Sequence, residues 1–462
     1  MSRHPIQDRR LSTQPEVGPS PEITRLADCS AWMLQGACAP GARVLGLECE
    51  RFAVGPDDRL LPYEGRVSIR TLLERLAARF GWQPVLEEGA IVGLTRAGGG
   101  ITLEAAGQFE FSAPPFATVA EVAAAFRSHQ EELTQVSADL GVRFLWAGYN
   151  PADHRPDTPV MPRDRYRLMR RNFPGDGRQG GAMLDFTCAV QVSLDFTDAA
   201  DGLELIRLGH LLTPVLIALF ANSSVAGGVD TGWRSWRGRL WPTVDPDRCG
   251  APALVFDPAV TFDDLVAWAW DRSLYFLAEP AADGGSRYRM LDRPMTFRQY
   301  VEDGHRGRRA TLADWALHLS TLYPDVRPRR QLELRVCDAV PPDAALALPA
   351  FVQGLCYDAD ARRRCLTLLR DGDRTIDRAA LREAACRSAL DAAWVDGPLR
   401  EIAREVLRLA HTGVAAQGGD AVARTALEGL EAIVTGDRPP YWHTLAARWA
   451  ATPSLYALAI PA

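Results

Sequence analysis

The sequence predicts an α+β fold in which an antiparallel sheet presents one carboxylate-lined face, helices pack on its back, and the C-terminal segment is helical. Three observations predict this fold. Four short segments, far apart in the chain, alternate apolar and polar residues, as strands do when they bury one face. Other segments carry apolar residues at helical spacing. The last part of the chain, from Leu346 onward, is dominated by Ala, Leu and Arg at that spacing.

The first two alternating segments carry glutamates on their polar sides. Glu48 and Glu50 flank a cysteine just after an apolar pair. From Ile101 to Ser112 nearly all even positions are polar, so a single strand would place Glu104 and Glu110 on one face. Both segments therefore predict a strand with an apolar back and an acidic front.

The other two alternating segments complete the predicted face. The run from Phe186 to Phe196 places Gln191 among its polar positions, opposite an apolar side. In the short run from Leu332 to Val336, apolar residues alternate with Glu333 and Arg335. Together the four segments predict one sheet whose polar face gathers these side chains.

A wet sheet face is the simplest interpretation of such alternation. Glutamate is disfavoured in strands, however, and two carboxylates about 6 to 7 Å apart repel by roughly 2 to 3 kcal/mol at an effective dielectric near 20. A cluster of several carboxylates therefore needs a counter-charge. Hard divalent cations such as Mg²⁺ take oxygen ligands and commonly join a few carboxylates to substrate phosphates, so the pattern points to nucleotide chemistry.

Three further segments predict helices. Ser68 to Arg79 and Val119 to Gln135 have apolar residues at helical spacing, and we expect both helices to cover the apolar back of the sheet. The longest apolar run, Leu211 to Ala221, contains a proline and is too short to span a bilayer. It is predicted to be a buried helix.

The domain organisation follows from composition. Residues 1–24 are rich in Arg, Pro, Gln and Ser and are predicted to form a flexible tail, which lacks the apolar stretch of a signal peptide. Residues 25–345 hold all four alternating segments and form the predicted catalytic core. Residues 346–462 form a predicted helical segment packed on that core, interrupted near Gly413–Gly419 and at Pro439-Pro440.

Charge and composition exclude several function classes. A net charge of −6 gives no reason to expect nucleic acid or an anionic membrane as partner. All 52 cationic side chains are arginine, because the chain contains no lysine. P-loop NTPases, pyridoxal enzymes and lysine nucleophiles are therefore excluded. Any phosphate must be held by arginine, backbone N–H groups or a metal ion.

The nine cysteines form no Cys-x-x-Cys pair and no dense framework, so neither a zinc ribbon nor a disulfide scaffold is indicated. We expect most of them to be reduced core residues in a cytoplasmic protein.

Six arginines lie close together in one stretch of the sequence. The stretch shows no helical amphipathicity, so it is predicted to be a loop over a polyanionic nucleotide. These arginines are at positions 163, 165, 167, 170, 171 and 178.

Five stretches, in order along the chain, resemble the glutamate-cysteine ligases of the plant and bacterial type. They are Gly46–Glu50, Ile101–Glu110, Val190–Val192, Phe220–Ser223 and Arg330–Arg335. Shorter matching stretches are Met161-Pro162, Arg165–Arg167, Gly232–Arg237 and Asp245–Gly250. The catalytic fold of this family is similar to that of glutamine synthetase. The segment Val326–Arg330 and Asp338 most resemble the branch of the family that feeds ergothioneine synthesis.

The resemblance implies a site and a reaction. The implied metal ligands, for Mg²⁺ or Mn²⁺, are Glu48, Glu50, Glu104, Glu110, Gln191 and Glu333. The implied catalytic residues are Arg335 and Glu333, and the implied substrate-binding residues are Arg237, Arg167, Tyr166 and Gln108. We hypothesise that Arg335 neutralises the transferring phosphate or a developing oxyanion, and that Arg237 forks onto the α-carboxylate of glutamate.

The implied reaction is ATP-dependent ligation of glutamate to cysteine by a monomer or weak homodimer, with no nucleic acid or membrane partner. Two departures from the family bear on the acceptor: Ser193 stands where relatives usually have asparagine, and Val336–Pro342 lacks the glycine-rich sequence of the plant enzymes. Two alternatives therefore stay open. One is a γ-glutamyl ligase that uses another amine, and the other is an inactive relative that binds ATP.

Overall fold

The computed structural model describes residues 20–97, 99–153, 158–173, 178–280, 286–371, 377–395 and 397–462. Within these residues the architecture centres on one nine-stranded antiparallel sheet. Its strands in chain order are β1 (Leu45–Val54), β2 (Gln83–Glu87), β3 (Ala90–Arg96), β4 (Gly99–Leu103), β5 (Phe109–Ser112), β6 (Arg143–Leu145), β7 (Ala189–Leu194), β8 (Val326–Pro328) and β9 (Leu332–Asp338). The order across the sheet is β8-β9-β7-β1-β5-β4-β3-β2, with β6 paired to the end of β1. The predicted α+β class and antiparallel sheet are confirmed.

Helices surround this sheet. In chain order they are α1 (Leu26–Leu34), α2 (Ile69–Phe80), α3 (Val119–Ser137), α4 (Asp164–Asn172), α5 (Arg178–Phe186), α6 (Ala199–Phe220), α7 (Trp236–Val244), α8 (Phe262–Trp270), α9 (Phe297–Asp303), α10 (Leu312–Leu319), α11 (Pro342–Ala345), α12 (Ala347–Cys356), α13 (Ala359–Asp371), α14 (Arg378–Ser388), α15 (Leu399–Ala416), α16 (Ala421–Thr435), α17 (Tyr441–Ala451) and α18 (Leu455–Leu458). Short two-stranded ribbons pair Val225–Ala226 with Val229–Asp230, Cys249–Gly250 with Tyr323–Pro324, Phe276–Pro280 with Ser286–Met290, and Ala393–Trp394 with Gly397–Pro398.

The two helices predicted behind the sheet are present as α2 and α3. Ser68 caps α2 by accepting a hydrogen bond from the N–H of Thr71, and Thr118 with Glu121 forms a capping box at the start of α3. Leu72 of α2 and Phe126 of α3 belong to the same buried cluster as the inward-facing residues of the sheet. The helices therefore pack on the apolar back, as predicted.

Helix α6 contains the predicted buried helix and begins earlier than expected, at Ala199. By length and composition it is apolar enough to cross a membrane, but 83% of its most apolar window is buried inside the fold. Core helices of globular proteins pass the same test, so this helix is weak evidence for a membrane span. It packs against β8, β9 and α14.

The segment after Leu346 is helical as predicted. Helix α15 ends before Gly418 and Gly419, which both have positive φ, and Pro440 immediately precedes the first residue of α17. Leu355 of α12 and Leu407 of α15 lie in the same hydrophobic cluster as the sheet. No separate core marks a domain boundary near residue 345 in the described part of the chain.

Two sequence-based predictions differ from the structure, one about the tail and one about the arginine-rich stretch. Of the tail predicted over residues 1–24, residues 1–19 lie outside the described residues, but Ile23 is fully buried and its N–H donates to the carbonyl of Ala310 at 2.8 Å. The arginine-rich stretch predicted as a loop forms helices α4 and α5. Helix α4 buries Arg165 beside Tyr166, Leu168 and Met169, and this buried arginine hides its amphipathic pattern.

The segment predicted as one strand from Ile101 to Ser112 is a hairpin. Strand β4 ends at Leu103, a tight turn follows, and β5 starts at Phe109. Apolar and polar residues happen to alternate through the turn as well as in the two strands. The prediction of a single strand is therefore wrong, although both of its glutamates reach one face by a different route.

Cysteine burial is a further property of the fold. No disulfide joins any of the nine cysteines within the described residues, and seven of them are buried. Burial raises the pKa of Cys356 and that of Cys386 to about 12. These thiols pack as small apolar side chains, as the sequence predicted.

Candidate active site

One pocket lies between the polar face of the sheet and helices α4, α5 and α7. Nine of the side chains that the sequence predicted as site residues line it: Glu48, Glu50, Glu104, Gln108, Glu110, Tyr166, Gln191, Arg237 and Arg335. Glu333 lies directly behind this lining and is 1% exposed. The fold thus brings together residues that are almost 300 positions apart.

Strand β1 places the carboxylates of the acidic side. Glu50 lies opposite Glu110 of β5, and Glu48 lies opposite Gln191 of β7. Directly opposed residues of antiparallel strands point to the same face, so strand pairing alone gathers these four side chains.

Glu104 reaches the pocket from the turn between β4 and β5. Its N–H donates to the carbonyl of Gln108 at 3.0 Å, and its carbonyl accepts from the N–H of Gly107 at 3.0 Å. Gly107 has a φ of +83°, and a Cβ there would lie 3.0 Å from Cε of Met161. The positive φ therefore favours glycine in the turn that positions Glu104, and a Cβ there would also press against Met161.

Burial and repulsion act together on these carboxyl groups. Burial, and next the charge of Glu333, raises the pKa of Glu48 to about 7. Burial, and next the charge of Glu104, raises the pKa of Glu50 to about 8. The pKa of Glu110 is raised well above its ordinary value by burial and by the three neighbouring glutamates. This side of the pocket favours a bound cation or protons.

Glu333 behaves in the opposite way. Burial alone would raise its pKa, but the charges of Arg327, Arg335 and Arg329 outweigh burial and lower the pKa to about 2. Arg327 lies opposite Glu333 across the β8–β9 pair and forks onto both carboxylate oxygens at 2.8 to 3.0 Å. Nη1 of Arg335 donates to Oε1 of the same carboxylate. Glu333 is therefore an ionised group between two guanidinium groups.

The basic side of the pocket consists of Arg165, Arg327 and Arg335. Nη2 of Arg165 and Nη1 of Arg327 both donate to the carbonyl of Ser320, at 2.9 and 3.4 Å, so α4 and β8 are tied together there. Three guanidinium groups that face an acidic wall make a pocket with two oppositely charged sides. Such a pocket can hold a polyanion on one side and a cation on the other.

Gln191 joins the two sides. Its Nε2 donates to Oε1 of Glu50 at 2.8 Å, and its Oε1 accepts from Nη1 of Arg335 at 2.7 Å. The carbonyl oxygen that would bind a metal ion already accepts a charged hydrogen bond. The structure thus gives Gln191 a bridging contact at the place where a metal ligand was predicted.

Arg237 projects from the first turn of α7 and is almost fully buried. Its Nη1 and Nη2 donate to the carbonyls of Val336 and Arg335, at 3.3 and 3.0 Å, and its Nε has no hydrogen-bond partner among the described residues. Asp338 accepts from the hydroxyls of Ser223 and Ser235 and holds the start of this helix. The guanidinium is thereby fixed against the β-bulge of β9.

The comparisons with known proteins decide the family. The model of glutamate-cysteine ligase family 2 (GCS2) matches residues 44–442. The chain belongs to this family. The glutamate–cysteine ligase of Arabidopsis thaliana chloroplasts is 34% identical over 419 residues, which cover 90% of this chain and 77% of that protein. The corresponding Brassica juncea protein is 35% identical over 419 residues, which cover 90% of this chain and 78% of the relative. Family membership confirms the resemblance drawn from the sequence motifs.

A solved structure shares the fold of this family member. The crystal structure of the glutamate–cysteine ligase of Francisella tularensis, in complex with AMP, superposes with a TM-score of 0.51. The two chains are 12% identical, and the matched region covers 90% of this chain and 86% of the Francisella tularensis chain. The predicted fold class is confirmed by this likeness.

The structure places the predicted substrate-binding residues Tyr166, Gln108 and Arg167 in different surroundings, and only the first two line the pocket. The hydroxyl of Tyr166 lines the pocket and donates to the carbonyl of Leu103 at 3.1 Å. Gln108 also lines it, but its amide bonds the backbone of Ala106, Leu184 and Thr187 and so braces the turn against α5.

Arg167 lies outside this pocket. More than half of its side chain is exposed, it pairs with Asp164 at 2.9 Å, and it lines a separate surface depression. The neighbouring Arg165, which the same motif contains, faces the pocket in its place. The structure therefore does not bring Arg167 together with the other predicted residues.

A hard divalent cation fits the oxygen donors of the acidic side, with Mg²⁺ or Mn²⁺ as candidates. Among the described residues, no three His, Cys, Asp or Glu side chains already surround one point as a complete metal site. Mg²⁺ usually keeps waters and takes only one or two carboxylates together with substrate phosphates. The raised pKa values of Glu48, Glu50 and Glu110 support such a shared site.

Sequence reasoning missed several lining residues. Arg165 was predicted only as part of a loop over a nucleotide, and Arg327 lay within a matching segment without an assigned role. The helical face of α4 and the pairing of β8 with β9 show that both line the pocket. Trp241, Tyr323 and Met169 form an apolar wall of the pocket. No polar pattern in the sequence marks these three, because they look like ordinary core residues.

Proposed function

We propose that the protein joins the γ-carboxylate of L-glutamate to the amine of L-cysteine, with ATP as co-substrate, and forms γ-glutamylcysteine, ADP and phosphate. The observation that carries this proposal is the pocket with an acidic and a basic side in a chain of this family. The names of its relatives as glutamate–cysteine ligases support the choice of substrates.

The two sides suit the chemistry of amide synthesis. A carboxylate oxygen is a poor leaving group, so the γ-carboxylate must first accept the terminal phosphoryl group of ATP. The amine of cysteine then attacks the resulting acyl phosphate, the new C–N bond forms, and phosphate leaves. Arg335 and Arg165, which line the basic side, would neutralise the phosphates during both steps.

A divalent cation held by Glu48, Glu50, Glu104 and Glu110 would spread the negative charge of the transferring phosphoryl group. Burial, and next the charges of neighbouring carboxylates, raise the pKa values of Glu48, Glu50 and Glu110, so a nearby cation would favour their ionised forms. Glu333, with its two arginine partners, stays ionised without one. We therefore place Glu333 with the basic side and leave its role as a metal ligand as a prediction.

Arg237 remains the proposed binder of the glutamate α-carboxylate. Its guanidinium lies over the ring of Trp241, which belongs to the apolar wall, at 5.5 Å from the ring centre. Its fixed position against β9 would hold the amino acid in one orientation. The apolar wall with Met169 suits a small, soft acceptor side chain such as that of cysteine.

Phosphate release from Mg-ATP tests this function directly. The assay contains glutamate and one amine from a panel that includes cysteine, and mass spectrometry identifies the product. Release with γ-glutamylcysteine as the main product supports the proposal, and the variant Arg335→Gln should reduce both signals together. Release with a different amine would keep the reaction class and replace the acceptor, whereas nucleotide binding without turnover on any amine would contradict a ligase.

The cellular setting is a separate proposal. The absence of disulfides among the described residues supports a reducing, cytoplasmic compartment. The resemblance of Val326–Arg330 and Asp338 to the ergothioneine branch supports thiol biosynthesis as the context. Product analysis in cell extracts with and without the gene would separate ergothioneine from glutathione supply.

A further inference from the structure

The carboxylate of Glu333 is almost fully enclosed beside the pocket. It is 1% exposed, and its two oxygens accept three contacts from Arg327 and one from Arg335. A carboxylate offers about four lone-pair positions, so these contacts fill its hydrogen-bonding capacity. A buried anion of this kind must keep a cation partner, because water cannot replace one.

The two arginines use their nitrogens differently. The contacts of the Arg327 side chain go to Glu333 and to the carbonyl of Ser320. Both hydrogen bonds that the structure gives Arg335 use Nη1, one to Glu333 and one to Gln191. The Nη2 and Nε groups of Arg335 therefore remain for a ligand on the pocket side.

We propose that Arg327 is a positioning residue that neutralises Glu333 and thereby leaves Arg335 available to the phosphates of a bound nucleotide. The inference rests on the proposed ATP-dependent function. With Arg327 present, the group of two arginines and one glutamate carries one net positive charge, to which Arg329 adds its field. Without Arg327 the remaining pair of Arg335 and Glu333 is neutral, and Arg335 must supply more of the charge that stabilises the buried carboxylate.

Loss of Arg327 should then turn Arg335 away from the pocket. A guanidinium binds a carboxylate best through two parallel hydrogen bonds, so Arg335 would rotate from Gln191 toward a forked contact with Glu333. Removal of the charge of Glu333 in the same chain would release Arg335 again. A second substitution, at Glu333, is therefore expected to restore the nucleotide affinity that the loss of Arg327 removes.

Calorimetric titration with Mg-AMP-PNP and, separately, with AMP tests the proposal without any need for turnover. We expect Arg327→Gln to weaken Mg-AMP-PNP binding by about ten-fold or more and to change AMP binding by less than about two-fold, since AMP lacks the outer phosphates. Arg327→Lys should lose less. The double variant Arg327→Gln/Glu333→Gln should recover most of the lost affinity.

A matched control is available elsewhere in the chain. Asp201 is likewise held between two arginines, by Arg43 at 2.7 and 2.8 Å and by Arg362 at 2.7 Å, and none of the three lines the pocket. Arg43→Gln should lower thermal stability in the same way as Arg327→Gln and leave both nucleotide affinities unchanged.

Three results would overturn the proposal. Equal weakening of AMP and Mg-AMP-PNP binding would indicate general disruption, and a double variant no better than Arg327→Gln would mean that Arg327 contacts phosphate itself or that Glu333 binds the metal ion. Failure of the wild-type protein to bind either nucleotide would also overturn it. Normal binding and rescue without formation of γ-glutamylcysteine would instead contradict the proposed function alone.

Discussion

Strand β1 places a negatively charged side chain on one face of the sheet and a positively charged one on the other. Glu50 points into the pocket, whereas the next residue, Arg51, is fully buried on the opposite side. Arg51 donates to Gln130 at 2.7 Å, contacts His129, and lies over the ring of Trp146 at 5.0 Å. Burial lowers the pKa of Arg51 to about 9. Amide and aromatic groups thus stabilise a cation to which the structure gives no carboxylate contact among the described residues.

Arg237→Ala should raise the KM for glutamate far more than the KM for ATP. The loss of a charged, two-pronged contact to a carboxylate costs roughly 2 to 5 kcal/mol, which is at least about ten-fold in KM. Steady-state kinetics with each substrate varied in turn measures both constants. Because Arg237 also bonds the β9 backbone, Arg237→Lys serves as the control that keeps the charge. Equal effects on both constants would rule out the assignment.

His210 should make the folded state sensitive to acid. Both ring nitrogens lack hydrogen-bond partners in the described residues, and burial lowers its pKa from 6.5 to about 4. Between these two values the unfolded chain binds the proton and the folded chain does not, so stability falls as the pH falls.

Urea unfolding at pH 7.5 and pH 5 measures this effect, which amounts to roughly 2 kcal/mol at pH 5 for the single group. The variant His210→Phe should lose that difference, because its ring stays neutral at both values. His443→Gln, at an exposed histidine, is the control. An unchanged pH dependence in His210→Phe would contradict the assignment.

Among the elements, the β4–β5 hairpin does most to complete the acidic side. Its turn delivers Glu104, and its second strand delivers Glu110 opposite Glu50. Gln108 anchors the turn to the end of α5 at Leu184. The position of Glu104 therefore depends on one short backbone reversal.

Gly107→Ala should reduce both stability and metal-dependent activity. The positive φ costs about 1 kcal/mol for any residue with a Cβ, and the contact with Met161 adds to that cost. Gly89→Ala is the matched control, since Gly89 has a φ of +82° in the β2–β3 turn and open space around it. We expect both variants to lose melting temperature, Gly107→Ala the more, but a higher Mg²⁺ requirement only for Gly107→Ala. The same Mg²⁺ requirement in both variants would show that the turn does not position Glu104.

Sequence patterns predicted the strands of this face better than its connections. Period-two alternation identified β1, β7 and β9, because each buries one side against helices. The same rule failed between Ile101 and Ser112, since a turn rich in small and polar residues can imitate a continuing strand. Helix α4 escaped detection because its buried face includes an arginine that serves the pocket.

The partners of Glu333 could not be predicted for a related reason. Its opposition to Arg327 depends on the pairing of β8 with β9, and β8 is only three residues long. Such a short strand leaves no periodic signal. Resemblance to the family supplied the predicted metal ligands, but only the three-dimensional pairing distinguishes a carboxylate that faces cations from one that faces other carboxylates.

At the scale of the whole molecule, the sheet and the C-terminal helices share one hydrophobic core. Helix α12 is buried along its whole length and packs against β1, β7 and α15. Gly354 of α12 and Gly413 of α15 lie at the crossing, where the backbones approach each other closely. We therefore expect the two parts to unfold together.

Gly354→Ala should shift the unfolding of the entire molecule. Its Cβ would collide with the carbonyl of Ala410, and such overpacking costs about 1 to 3 kcal/mol. Gly429→Ala, inside α16, is the control, because its Cβ would make only an ordinary contact at 3.7 Å and would favour the helix. Urea unfolding followed by tryptophan fluorescence and far-UV circular dichroism should give one coincident transition. Two separate transitions would indicate independent domains.

The burial of the protein thiols has a consequence for the proposed use of cysteine. The residues that line the pocket, in the part of the chain that the structure describes, include no cysteine. A bound cysteine would therefore bring the thiol to a pocket whose described lining supplies none for exchange. Oxidation of the medium would then slow turnover by converting the substrate to its disulfide, and a fresh reductant should restore the rate without any repair of the protein.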